Sequence, residues 1–92
     1  MAQTESSKNH REALLNIFPN PCIGDTYLYT DDLEAAWVVV YDCLGSIKQK
    51  WLISPGQTLH VNITLSAGAY QLVLMDKCQN ILGLPKSLFI SE

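Results

Sequence analysis

Apolar and polar side chains alternate with a period of two along most of this chain, and no stretch sustains the 3.6-residue period of an amphipathic helix. Residues 59–64 show the alternation most cleanly. Leu59, Val61 and Ile63 interleave with His60, Asn62 and Thr64, as in a strand buried on one side. Residues 46–53 repeat it, with Ile47, Gln49, Trp51 and Ile53 on one side. Ser46, Lys48, Lys50 and Leu52 lie on the other, which the lysines turn toward water. Residues 36–42 (A-W-V-V-V-Y-D) are the strongest strand former, since β-branched and aromatic side chains fit a pleated surface. Residues 26–30 (T-Y-L-Y-T) and 69–75 read the same way, the latter with Tyr70, Leu72 and Leu74 on one side.

Turn chemistry punctuates these runs. Asp42-Cys43-Leu44-Gly45 predicts a hairpin turn with Gly45 at a position needing positive φ, and residues 76–80 predict a second hairpin. Pro55-Gly56 and Ser66-Ala67-Gly68 mark two more reversals. An apolar run at residues 14–18 predicts a first strand at an edge, stopped by a rigid turn at Pro19-Asn20-Pro21, because proline cannot donate to a ladder. Residues 81–84 predict the return arm of the second hairpin, interrupted by Pro85. Residues 86–91 then predict a terminal strand that starts afresh at a sheet edge. Residues 33–36 are too few to hold a helix alone. The sum is an all-β sandwich of about seven short antiparallel strands, with Val38, Val40, Leu72 and Leu74 in the core. Because residues 36–42 are apolar on both faces, two arrangements stay open for Trp37, Val39 and Tyr41: an exposed stripe, or a second face that is also covered.

At 92 residues there is room for one core. Residues 1–13 carry few apolar side chains to dock and read as a flexible leader or linker, leaving 14–92 as the sandwich. Net charge is −3 with no basic run, which argues against a nucleic-acid partner. No apolar run approaches the roughly 20 residues of a membrane helix, so no transmembrane segment is expected.

Candidate chemistry is thin. Cys22, Cys43 and Cys78 form no C-x-x-C pair and have no histidine at zinc-site spacing, and they read most simply as free thiols. His10 falls in the leader and His60 on the polar face of a strand, so neither is placed to activate a cysteine. Asp31, Asp32 and Glu34 lack the oxygen-rich spacing of a calcium loop and read as a solvated turn. The expectation is therefore no catalytic residue, no cofactor and no metal site.

Three segments in order carry a family resemblance. Phe18-Pro19-Asn20-Pro21, then Val38 to Gly45 (V-V-V-Y-D-C-L-G), then Leu65 to Leu72 (L-S-A-G-A-Y-Q-L) resemble the C-terminal sorting domains of the type IX secretion system. Those domains are immunoglobulin-like sandwiches at the end of secreted cargo. The resemblance implies a targeting role, with an outer-membrane translocon and a sortase as partners and a cargo domain upstream. It implies passage through the periplasm of a Gram-negative bacterium to the cell surface. On this reading Pro19, Asn20, Pro21, Tyr41, Asp42, Gly45, Gly68 and Tyr70 support the fold. Recognition would fall on Lys86, Leu88, Phe89 and Ile90 of the terminal strand, and on Trp37 and Tyr41. The family often ends on basic residues, whereas this sequence reads Leu88-Phe89-Ile90-Ser91-Glu92. Small immunoglobulin-like secreted binding or adhesion modules share the Y-D-x-x-G and G-x-Y features, and are the alternative.

Overall fold

The computed structural model describes residues 14–92, so the expected leader at residues 1–13 lies outside the described residues. Among those described there are seven strands and no helix: β1 (Asn16–Ile23), β2 (Asp25–Tyr29), β3 (Trp37–Tyr41), β4 (Ile47–Leu52), β5 (Leu59–Asn62), β6 (Gly68–Met75) and β7 (Ile81–Ile90). They form two antiparallel sheets, one of order β1-β2-β5 and one of order β4-β3-β6-β7. This three-and-four division is a β-sandwich. A single parallel bridge, Cys22 to Ile90, ties the end of β1 to β7, so β1 starts in one sheet and finishes beside the other.

The core lies between the sheets and follows the period of two. Leu28 and Thr26 of β2 and Val61 of β5 point inward from the smaller sheet. Val38 and Val40 of β3, Leu72 and Leu74 of β6, and Leu88 of β7 point inward from the larger one. Full burial of each such aliphatic side chain stabilises by about 1.5–3 kcal/mol. The buried Thr26 hydroxyl donates to the Pro19 carbonyl at 2.9 Å, so it brings no unpaired polar group into the core.

Both hairpin turns are built alike. In the first, Asp42 Oδ1 accepts from the N–H of Leu44 and of Ser46, each at 2.9 Å, and Gly45 takes φ 85°. In the second, Asp76 Oδ1 accepts from Cys78 and Asn80, again at 2.9 Å, and Gln79 takes φ 68° where the first turn has glycine. The short bonds hold both carboxyls below their ordinary value, the Ser46 N–H leading at Asp42 and the Asn80 N–H at Asp76.

Four expectations need correction. The Pro19-Asn20-Pro21 segment is not a turn ending a strand: β1 runs through it, with both X-Pro bonds cis. The ladder to β2 is interrupted between Phe18 and Ile23, where no N–H donor is required of the prolines. Residues 81–91 are not two strands split at Pro85. One ten-residue strand passes through the proline, because a bulge opposite Val73 sets residues 83–85 outside the regular pairing. Nor is either the first or the terminal strand a free edge, since β1 and β7, the end strands of the two sheets, run beside each other and leave β4 and β5 as the free edges. Finally, Ile47 is exposed, because an irregularity between Val40 and Tyr41 shifts the register of β4 by one residue.

Candidate recognition surfaces

The terminal strand divides the expected recognition residues into two groups. Leu88 is fully buried and Ile90 nearly so, with both side chains in the core, so they anchor the strand and offer nothing to a receptor. Phe89, 48% exposed, points outward, and Lys86 is exposed although it lies opposite Leu72 on the side of the strand that Leu88 shares. The strand is fixed from an unexpected direction. Asn20, set between the two prolines, donates from Nδ2 to the Ser87 carbonyl at 2.8 Å and accepts at Oδ1 from the Phe89 N–H at 2.9 Å. Its carboxamide thus presents to β7 the donor and acceptor that a neighbouring strand's backbone would present, at a place where flanking prolines cannot. Just beyond, the Ser91 N–H donates to the Cys22 carbonyl at 2.8 Å.

On the outward face of the larger sheet, Val39 is buried, and Trp37 and Tyr41 are half-buried. Of the two arrangements left open by the sequence, the covered face is the one present. Lys50 stands directly opposite Val39 across the β3–β4 pair, and its ammonium lies 4.3 Å from the Trp37 ring centroid. The aliphatic stem therefore runs along the sheet between the two while the charge rests on the indole face. Leu52, Trp37, Met75 and Ile81 nevertheless form one cross-strand row on this face, with Leu52 and Ile81 well exposed.

The remaining motif residues have structural work. The Tyr70 hydroxyl donates to the Ser66 carbonyl at 2.7 Å, closing the β5–β6 connection in the manner of a tyrosine corner. Asp42 and Gly45 make the first hairpin turn, and Gly68 opens β6.

Of the thiols, Cys22 is buried, and burial pushes it above the ordinary cysteine range; Cys43 and Cys78 are exposed in the hairpin turns. Cys78 borders a groove of about 540 Å³ beside Leu33, Ala35, Ala36 and Lys77. Asp32, expected in a solvated turn, is buried, and its Oδ1 accepts from the Glu34 N–H at 2.9 Å. Among the described residues, no group of three or more His, Cys, Asp or Glu side chains is arranged to hold a metal ion, and no helix is long and apolar enough to cross a membrane.

One cluster is not evident from the sequence. Phe18, Tyr27 and His60 occupy directly paired positions on β1, β2 and β5, and their rings lie nearly parallel on the outward face of the smaller sheet. Ring centroids are 5.7 Å apart from Phe18 to Tyr27 and 4.9 Å from Tyr27 to His60. In the adjoining row, Asp25 Oδ1 accepts from Asn62 Nδ2 at 2.9 Å and lies 3.4 Å from His60 Nε2. Alternation alone places Tyr27, His60 and Asn62 on polar faces. Only the register across three strands brings them together. No protein-family model matches this chain, and no curated protein matches it either.

Proposed function

We propose that this domain is a non-catalytic targeting label, a sorting domain of the type IX kind, which carries an upstream cargo protein across the outer membrane to the cell surface. The observation that carries the reading is the Asn20 clamp. The opening F-P-N-P motif is bonded to the backbone of Ser87 and Phe89, so the segment with the most telling resemblance and the terminal strand form one unit. A label of this kind works by binding. Leu88 and Ile90 seat β7 in the core, Phe89 faces outward and Lys86 is exposed, so a translocon can reach both. Trp37, with the Lys50 ammonium over its ring, and the half-buried Tyr41 contribute an amphipathic surface on the same sheet.

The test is a fusion of the whole chain behind a periplasmic reporter in a host with a type IX system. The reporter is expected at the cell surface. Phe89→Ser is expected to reduce export without unfolding the domain, because the ring is half exposed. A folded fusion that stays in the periplasm overturns the sorting reading.

A further inference from the structure

The outward face of the three-stranded sheet has a chemistry of its own, independent of the terminal strand. Phe18 is 43% exposed and Tyr27 42% exposed, so the row gives solvent a large share of its aromatic surface. The rings stack in sequence, with Tyr27 in the middle and interplanar angles of 19° and 30°, and Phe18 and His60 end the row. The row crosses all three strands of this sheet, a span of about 10 Å at ordinary strand spacing. Beside it lie groups that bond hydroxyls. Asp25 Oδ2 and Asn62 Oδ1 are acceptors that take no hydrogen bond from the described residues, and the Tyr27 hydroxyl is likewise unengaged.

Charge narrows the ligand. The four lysines among the described residues, Lys48, Lys50, Lys77 and Lys86, all belong to the four-stranded sheet or its last hairpin turn. Among the described residues the aromatic face therefore has no lysine or arginine to hold a phosphate or sulfate, and Asp25 repels one. A purely apolar partner is disfavoured, because Asp25, Asn62 and His60 interrupt the apolar area and desolvating them would cost binding energy. A pyranose chain meets both demands. Its axial C–H groups carry slight positive charge and settle on the negative ring faces, and its hydroxyls donate to a carboxylate or a carboxamide oxygen. The row has about the length of two linked sugar rings. We propose that Phe18, Tyr27 and His60, with Asp25 and Asn62, form a binding site for a neutral oligosaccharide.

The test is a titration of the full chain, isotope-labelled, with cellopentaose, chitopentaose and mannopentaose at millimolar concentration, followed by amide resonances. A heparin fragment and an unrelated neutral peptide serve as comparison arms. At least one neutral sugar is expected to shift the Tyr27, His60 and Asn62 amides saturably, and the heparin fragment is not. Tyr27→Ala is expected to weaken binding roughly three- to tenfold, the range that one aromatic contact supplies. Asp25→Asn, which leaves the ring row intact, is expected to weaken it about tenfold through loss of the charged acceptor and keeps the test valid if Tyr27→Ala unfolds. The proposal is overturned if no neutral sugar shifts these amides, or if the shifts fall on the four-stranded sheet. Preference for the heparin fragment or the peptide overturns it equally.

Discussion

Replacing Asn20 with alanine removes two hydrogen bonds that reach 67 and 69 residues along the chain, one to the Ser87 carbonyl and one from the Phe89 N–H. A hydrogen bond to a neutral partner contributes about 0.5–1.5 kcal/mol net. Both bonds lie at the exposed surface, where water replaces part of what is lost, so the pair is worth about 1–2 kcal/mol. For a domain of this size that is a fall in Tm of roughly 5–15 °C. Asn20→Asp separates the two bonds. The carboxylate still accepts from Phe89 N–H but sets a charged oxygen against the Ser87 carbonyl, so stability at neutral pH should fall as in the alanine variant. Once protonated, the acid can donate to that carbonyl again, and the deficit relative to the parent protein at the same pH should shrink below about pH 4. Urea unfolding gives the stability change, and amide exchange at Phe89 reports on the clamp directly. If Asn20→Ala leaves both the urea midpoint and Phe89 exchange unchanged, the clamp is incidental and this reasoning fails.

Leu88→Ala should cost about 2–5 kcal/mol by opening a cavity at a fully buried site, whereas Phe89→Ser should cost under about 1 kcal/mol; urea titrations of the pair check which face of β7 is core. Asp42 and Asp76 titrate below their ordinary value of 3.8 when folded, so the stability they confer is present in full above that pH and is lost as pH falls through the folded values. Thermal melts from pH 7 to 2 should show a loss confined to the acid end, and Asp42→Asn should make it shallower. Cys43 and Cys78 should react with iodoacetamide readily, while Cys22 reacts only on unfolding; mass spectrometry of a time course should show two fast additions and one slow.

Much of the sandwich is legible in the sequence because strand burial repeats every two residues. Leu72 and Leu74 could be placed inside from their spacing alone, and the Asp42 turn from its glycine. What could not be read depends on pairing between distant segments. Pro85 looks like a strand breaker until the bulge opposite Val73 removes the need for its N–H. The β1 segment looks like a turn until the Asn20 side chain is seen to stand in for the missing backbone groups. Val39 could not be assigned, because its cover comes from Lys50, whose direction is set by the indole it lies against. The aromatic row was hidden for the same reason, since Phe18, Tyr27 and His60 meet only through strand register.

The parallel run of β1 beside β7 has a mechanical consequence. Tension applied to the start of β1 and the end of β7 pulls these neighbours past each other along their length. The two Asn20 bonds and the bond from Ser91 to Cys22 are then loaded together in shear, instead of being peeled apart in turn. Pulled between these two points, the sandwich should yield at a higher force than when the same tension is applied across the β3–β4 hairpin, whose ladder can open one rung at a time.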